Sequence, residues 1–146
     1  MPPLARLLIA SDHWQIMLNH VLACLPEEAC GLLAGRGELA SQVRSVENAA
    51  HSQVRFRMEP RAQVEALLDL ESHGLELLAI FHSHPSGPAT PSATDLAEAY
   101  YPEAAAIIWC SDSGKWQARA FDLSRPAPVE LPLEIVPAAS GMSAQG

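Results

Sequence analysis

Apolar residues recur every three or four positions in three stretches of the chain, which is the spacing of a helix with one buried face. The predicted helices cover residues 12–25, 60–73 and 93–101. Residues with cap or stop preferences set their ends: Ser11 and Ser92 as N-caps, Pro60 in a first turn, Gly74 as a C-terminal cap, and Pro26 and Pro102 as stops. The buried stripe of the second helix would consist of Val64, Leu67, Leu68 and Leu70.

Shorter apolar stretches bounded by turn residues predict strands. They are residues 4–10, 29–35, 39–46, 54–58, 75–81, 104–110, 115–123 and 129–136. Residues 29–35 lack polar alternation, so we expect that strand to be buried on both faces, whereas 54–58 alternates and would be half-buried. The chain is rich in prolines from Ser124 onward, and 129–136, which contains Pro132, suits an edge strand. This order of elements predicts an α+β fold, a strongly twisted mixed sheet with flanking helices.

Length and composition limit the class of protein. The chain has 146 residues, 49% apolar and 18% charged, which predicts one globular domain at 1–136 and a disordered tail at 137–146. A formal net charge of -8 argues against a nucleic-acid partner. Three cysteines without a C-x-x-C spacing predict free thiols. Without a signal peptide or an apolar run of membrane length, we expect a soluble cytoplasmic protein with no membrane partner.

Candidate metal ligands follow the fifth predicted strand. His82 and His84 stand two residues apart at its end and would point to the same side of the pleat. Asp95 follows in the first turn of a helix, after a loop stiffened by prolines. Two imidazoles and one carboxylate are a common ligand set for catalytic zinc, which leaves a fourth position to water. The structural alternative is a pair of hydrogen-bonding histidines and an Asp that only favours the helix start.

A proton acceptor for that water would complete a hydrolytic site, and Glu28 is the candidate. It precedes the buried strand 29–35, where a carboxylate is either a solvated cap or part of a site. Glu27 is the competitor, and the pleat would aim the two side chains apart. The other histidines are predicted to be solvated or structural: His13, His20, His51 and His73. The large aromatic residues are predicted to belong to the core: Phe81, Trp109, Trp116 and Phe121.

Together these residues resemble the signature of the JAMM (MPN-plus) metallopeptidases, Glu-x-x-Gly followed by His-x-His-x7-Ser-x-x-Asp. The matching segments are Glu28-Ala29-Cys30-Gly31, His82-Ser83-His84 and Ser92-Ala93-Thr94-Asp95, and the resemblance covers residues 4–123. It implies a cytidine-deaminase-like sandwich and one zinc per chain held by His82, His84 and Asp95. It also implies Glu28 as the group that takes a proton from water and hands it to the leaving amine, and Ser92 as a donor to the oxyanion.

The short connections are similar to those of small prokaryotic members of that family, which act on ubiquitin-like sulfur carriers ending in Gly–Gly. The implied partner is the C-terminal tail of such a carrier, added to a sheet edge at 43–48 or 53–58. The sequence does not decide between a monomer and a homodimer. Three alternatives compete. A RadC-type protein would carry an additional N-terminal helical region, which is absent here, and a non-catalytic MPN scaffold usually lacks one or more of the metal-ligating residues. A zinc deaminase would carry His-x-Glu and Pro-Cys-x-x-Cys motifs, and neither is present.

Overall fold

The computed structural model describes residues 4–97, 101 and 103–138. In chain order the elements are β1 (Leu7–Ala10), α1 (Ser11–Cys24), β2 (Cys30–Arg36), β3 (Leu39–Val46), α2 (Pro60–Ser72), β4 (Glu76–His84), α3 (Ala93–Ala97), β5 (Ala105–Asp112), β6 (Lys115–Asp122), β7 (Val129–Leu131) and β8 (Leu133–Val136). None of the helices in these residues is long and apolar enough to cross a membrane.

The strands form one mixed sheet in the order β7-β6-β5-β4-β2-β3-β1-β8. β4 runs parallel to β5, and β1 runs parallel to both β3 and β8, while the other neighbours are antiparallel. α1 covers one face, where Phe81 and Trp109 are fully buried, and α2 covers the other. The predicted α+β class, with a mixed sheet and flanking helices, is confirmed.

The predicted edge strand at 129–136 is wrong in one respect, because it divides into two strands at opposite ends of the sheet. β7 pairs with β6, and β8 pairs with β1. Pro132 lies between them and cannot donate to a ladder, but its carbonyl accepts from Leu7 N at 3.0 Å. The sheet therefore curls until its two ends meet at this proline.

The predicted strand at 54–58 is also wrong. Only an isolated bridge, between Asn48 and Met58, pairs this segment, and Val54 is 79% exposed. The Asn48 side chain accepts from Arg57 N at 3.0 Å and donates to Arg55 O at 3.1 Å, so it uses backbone groups that a neighbouring strand would otherwise pair. The segment is a loop, and 53–58 is not a sheet edge.

Helix boundaries agree with the sequence more closely than helix faces do. α1 includes Ser11, and its N-cap is Ala10 without a side-chain bond, so Ser11 is not the predicted cap. In α2 the buried residues are Ala66 and Leu70, whereas Val64 and Leu68 are exposed, which corrects the predicted stripe.

α3 is described only as far as Ala97. The rest of the third predicted helix, 98–100, its stop at Pro102 and the tail from 139 lie outside the described residues, and Tyr101 is not helical.

Gly31 is required by close packing between three strands. A Cβ at this position would overlap the Phe81 ring on β4 and lie 2.5 Å from the Arg44 carbonyl oxygen on β3. We expect Gly31→Ala to destabilise the fold by about 1–3 kcal/mol, the usual cost of overpacking a core. Urea unfolding measures this, and an unchanged midpoint would contradict the packing described here.

Candidate metal centre and active site

His82 and His84 lie at the end of β4, with Ser83 between them, and turn their rings toward each other. Their Nε2 atoms lie 3.1 Å apart, and the two residues are 3% and 6% exposed. The ring of Phe56 stacks on His82, with centroids 4.5 Å apart and planes inclined by 22°. The predicted pleat geometry therefore brings both imidazoles into one buried place.

Asp95 reaches the same place from the first turn of α3. Its Oδ2 lies 3.2 Å from His82 Nε2 and 3.1 Å from His84 Nε2. Ser92 fixes this carboxylate, because Ser92 N donates to Asp95 Oδ2 at 2.8 Å while Ser92 Oγ accepts from Asp95 N at 3.0 Å. Ser92 is thus the N-cap that the sequence predicts, and its hydroxyl proton is not used in this cap.

The loop between β4 and α3 fixes the tautomer of His84. Pro88 O lies 2.6 Å from His84 Nδ1, and a carbonyl can only accept, so Nδ1 carries a proton. The other ring nitrogen, Nε2, faces His82 and Asp95. A ligand histidine typically donates its other N–H to a carbonyl in this way.

Glu28 joins the cluster through the register of β2 and β4. Cys30 is paired with His82, so two residues earlier on the chain Glu28 comes opposite His84 and on the same face. Glu28 is 2% exposed, and one ligand atom each of Glu28, His82 and His84 lies within 4.8 Å of the others. Glu27 points elsewhere and contacts His51, with Oε1 and Nδ1 3.2 Å apart.

The electrostatics of the cluster follow from burial and close contact. Burial raises the pKa of Glu28 to about 7. Burial also acts to raise the pKa of Asp95, but the hydrogen bonds with His82 and His84 outweigh it and hold that pKa well below its usual range. Burial lowers the pKa of His82, which keeps this ring neutral and able to offer a lone pair.

The arrangement fits a metal ion on two observations. Three atoms of the kind that ligate zinc, the Nε2 atoms of His82 and His84 and Oδ2 of Asp95, form a triangle with sides of 3.1–3.2 Å. Ligands of tetrahedral zinc at 2.0–2.1 Å stand about 3.3 Å apart, which is close to these sides. In addition, Glu28 Oε1 is buried and has no hydrogen-bond partner among the described residues, as expected for a group that awaits a water or substrate.

An apolar cavity of about 130 Å³ adjoins the cluster, and His82 and Asp95 form part of its wall. Its remaining lining includes Phe56, Met58, Ile80, Tyr101, Leu123 and the alanines Ala104, Ala105 and Ala106. The small side chains of the alanines leave the space open. The sequence does not indicate Phe56 as part of the site, because the alternation of its neighbours predicts a strand.

The other chemistry-bearing residues lie away from the cluster or are structural. The three cysteines are free, as predicted, and Cys30 packs under α2 with its Sγ 3.4 Å from Val46 O. His20 rests with its edge against Phe81, and His73 contacts Asp69 O at the end of α2.

The family described as prokaryotic homologs of the JAB domain matches residues 10–123. A desampylase of Pyrococcus furiosus is 33% identical over 118 residues, 80% of this chain and 81% of that protein. A Thermus thermophilus protein named "Probable TtuB-protein conjugate cleaving protease" is 46% identical over 81 residues, 55% of this chain and 54% of that protein. The solution structure of protein DSY2949 from Desulfitobacterium hafniense superposes with a TM-score of 0.82 at 31% identity, covering 92% and 95% of the two chains.

Proposed function

Because the chain belongs to the family of prokaryotic JAB-domain homologues, we propose that it is a zinc-dependent peptidase or isopeptidase that cleaves after the C-terminal Gly–Gly of a ubiquitin-like sulfur carrier or modifier. The observation that carries this proposal is the convergence of Glu28, His82, His84 and Asp95 in one buried cluster. Two relatives with matching sequences are named as a desampylase and a conjugate-cleaving protease, which supports hydrolysis of protein conjugates.

His82, His84 and Asp95 would hold the zinc through the Nε2, Nε2 and Oδ2 atoms that already face one another. When bound, zinc lowers the pKa of water and polarises a carbonyl group, both of which favour hydrolysis near neutral pH. The non-catalytic scaffold alternative is less well supported, because no member of the ligand set is missing.

Glu28 would move the proton in this reaction. Its unpartnered Oε1 accepts a proton from the attacking water, and the same carboxyl then gives that proton to the amine of the leaving group. A pKa near 7 suits both steps, because the group must take up and release a proton at similar cost.

Ser92 would donate to the oxygen that becomes negatively charged on the scissile carbonyl. Its Oγ lone pair is used by Asp95 N, but its O–H proton is available, so capping and donation are compatible in one side chain. Donors in comparable acyl transfers contribute about 2.7–4 kcal/mol to the transition state.

The carrier tail would reach the cluster as an extended strand. β1 pairs with β3 only at Leu39 and Ala40, so within the described residues the part of β3 from Val43 onward has an edge that β1 does not cover. Main-chain pairing at such an edge needs no side chains, which suits a tail ending in two glycines. The net charge of -8 continues to argue against a nucleic-acid substrate.

The proposal is tested on a carrier extended by a short peptide past its Gly–Gly. We expect intact-mass spectrometry to show release of the extension by the zinc-loaded protein, with a product ending in Gly–Gly, and no release after chelation. A matched carrier ending in Ala–Ala before the extension should resist cleavage. If the protein leaves the Gly–Gly carrier uncleaved but efficiently cleaves short unrelated peptides, it would instead be a general metallopeptidase.

A further inference from the structure

Asn48 lies two residues beyond the end of β3, and its buried side chain makes four hydrogen bonds. It is 6% exposed, and its Nδ2 donates to Glu28 O at 3.0 Å and to Arg55 O at 3.1 Å. Its Oδ1 accepts from Ala50 N and from Arg57 N, both at 3.0 Å. Two donor and two acceptor places of the amide are therefore all occupied.

Glu28 depends on such a support because it stands just outside the sheet. Regular pairing of β2 begins only at Cys30, which is paired with Val46 on β3 and with His82 on β4. Ahead of them Ala29 N donates to the Ser83 side chain at 2.8 Å instead of a strand carbonyl. The backbone of Glu28 is then held by two contacts, Glu28 N to Ser52 O at 2.8 Å and Asn48 Nδ2 to Glu28 O.

The other bonds of Asn48 fix the opposite wall of the site. Arg55 O and Arg57 N flank Phe56, the residue whose ring stacks on His82. One buried amide thus connects the backbone of the proton acceptor with the loop that covers a metal ligand. A displacement of about 1 Å in a catalytic group is enough to cost about 10²-fold in rate.

We infer that Asn48 is a positioning residue that holds Glu28 in register with the histidines through its carbonyl and ties Phe56 to the same anchor. The inference rests on the proposed function, since it concerns the proton acceptor of that reaction. Asn48 touches neither substrate nor metal in this scheme, and it acts on the rate through Glu28.

The test compares Asn48→Asp with the wild type on the extended Gly–Gly carrier. The variant keeps the shape and both acceptor bonds, but it replaces the Nδ2 donor by an oxygen that faces Glu28 O and Arg55 O. We expect kcat, measured below the melting temperature of the variant, to fall roughly 10- to 100-fold with KM and zinc content little changed. The melting temperature itself should fall, because two buried hydrogen bonds are lost. Asn48→Ser removes the same donor without adding a charge and should change kcat in the same direction.

Asn19→Asp is the matched control, because Asn19 is exposed on α1 and its Oδ1, which accepts from Gln15 at 2.8 Å, is kept in the variant.

A double-mutant cycle adds a readout that a general structural role would not change. In the Glu28→Gln background, Asn48→Asp should lower kcat much less than it does in the wild type. Equal cost in both backgrounds, an unchanged kcat, or loss of zinc from the folded variant would each overturn the positioning role. If Asn48→Asp does not fold, the same three outcomes are read from Asn48→Ser. A wild-type protein that leaves the carrier intact would overturn the proposed function itself, which separates the two failures.

Discussion

Glu28→Gln is expected to leave the protein folded and able to hold zinc, yet to lower kcat for the extended carrier by about 10²–10⁴-fold. The amide has the shape of the carboxylate but cannot accept the proton of the attacking water. Because Glu28 Oε1 has no hydrogen-bond partner among the described residues, the substitution breaks no bond of that atom. Rate, zinc content and melting temperature are measured on the same preparation.

Glu27→Gln is the matched control for this experiment. Glu27 is the neighbouring carboxylate, its side chain is 38% exposed, and its contact is with His51 on the surface. We expect kcat to stay close to that of the wild type, because Glu27 contacts His51 and not the cluster, and losing an exposed contact of this kind costs at most about 1 kcal/mol of stability. An inactive Glu27→Gln with an active Glu28→Gln would show that the proton acceptor has been assigned to the wrong residue.

The second large effect is expected for His84→Ala, which should lose most of the zinc and with it the activity. His84 would supply one of three protein ligands, and even the outer partners of a metal site cost about 10–100-fold in affinity when removed. Removing His84 should therefore lower the zinc affinity by more than about 100-fold. Metal analysis after dialysis against a competing chelator gives the affinity directly.

His73→Ala controls for removal of an imidazole, because His73 ends α2 and contacts Asp69 O rather than the cluster. It should retain about one zinc per chain, as the wild type does. Full zinc retention in a protein lacking both His82 and His84 would contradict the ligand assignment.

The arrangement of the site could be predicted largely from spacing, because the geometry of regular elements converts spacing into position. Residues two apart on a strand share a face, which places His82 with His84. The same rule separates Glu27 from Glu28, and the structure shows one of them exposed and the other buried. Ser92 and Asp95 stand three residues apart at a helix start, where a reciprocal cap is favoured.

The features that could not be predicted depend on tertiary contacts. The alternation at 54–58 is typical of a strand. The side chain of Asn48, which precedes that segment in the chain, instead forms hydrogen bonds with the backbone at Arg55 and Arg57 and holds the segment as a loop. Similarly, nothing local to Pro132 indicates that the strands on either side of it pair at opposite ends of a curled sheet. The exposed Val64 and Leu68 show that an apolar stripe alone does not fix which face of a short helix is buried.

The most direct test of a zinc-dependent peptidase at this cluster is a titration of chelated protein with zinc while intact-mass spectrometry follows release of the extension from the Gly–Gly carrier. We expect no release from the zinc-free protein, then a rate that rises linearly and reaches its plateau at about one zinc per chain. Cleavage at the full rate by protein shown to be free of zinc, or a rate that stays at zero beyond one equivalent, would contradict this assignment.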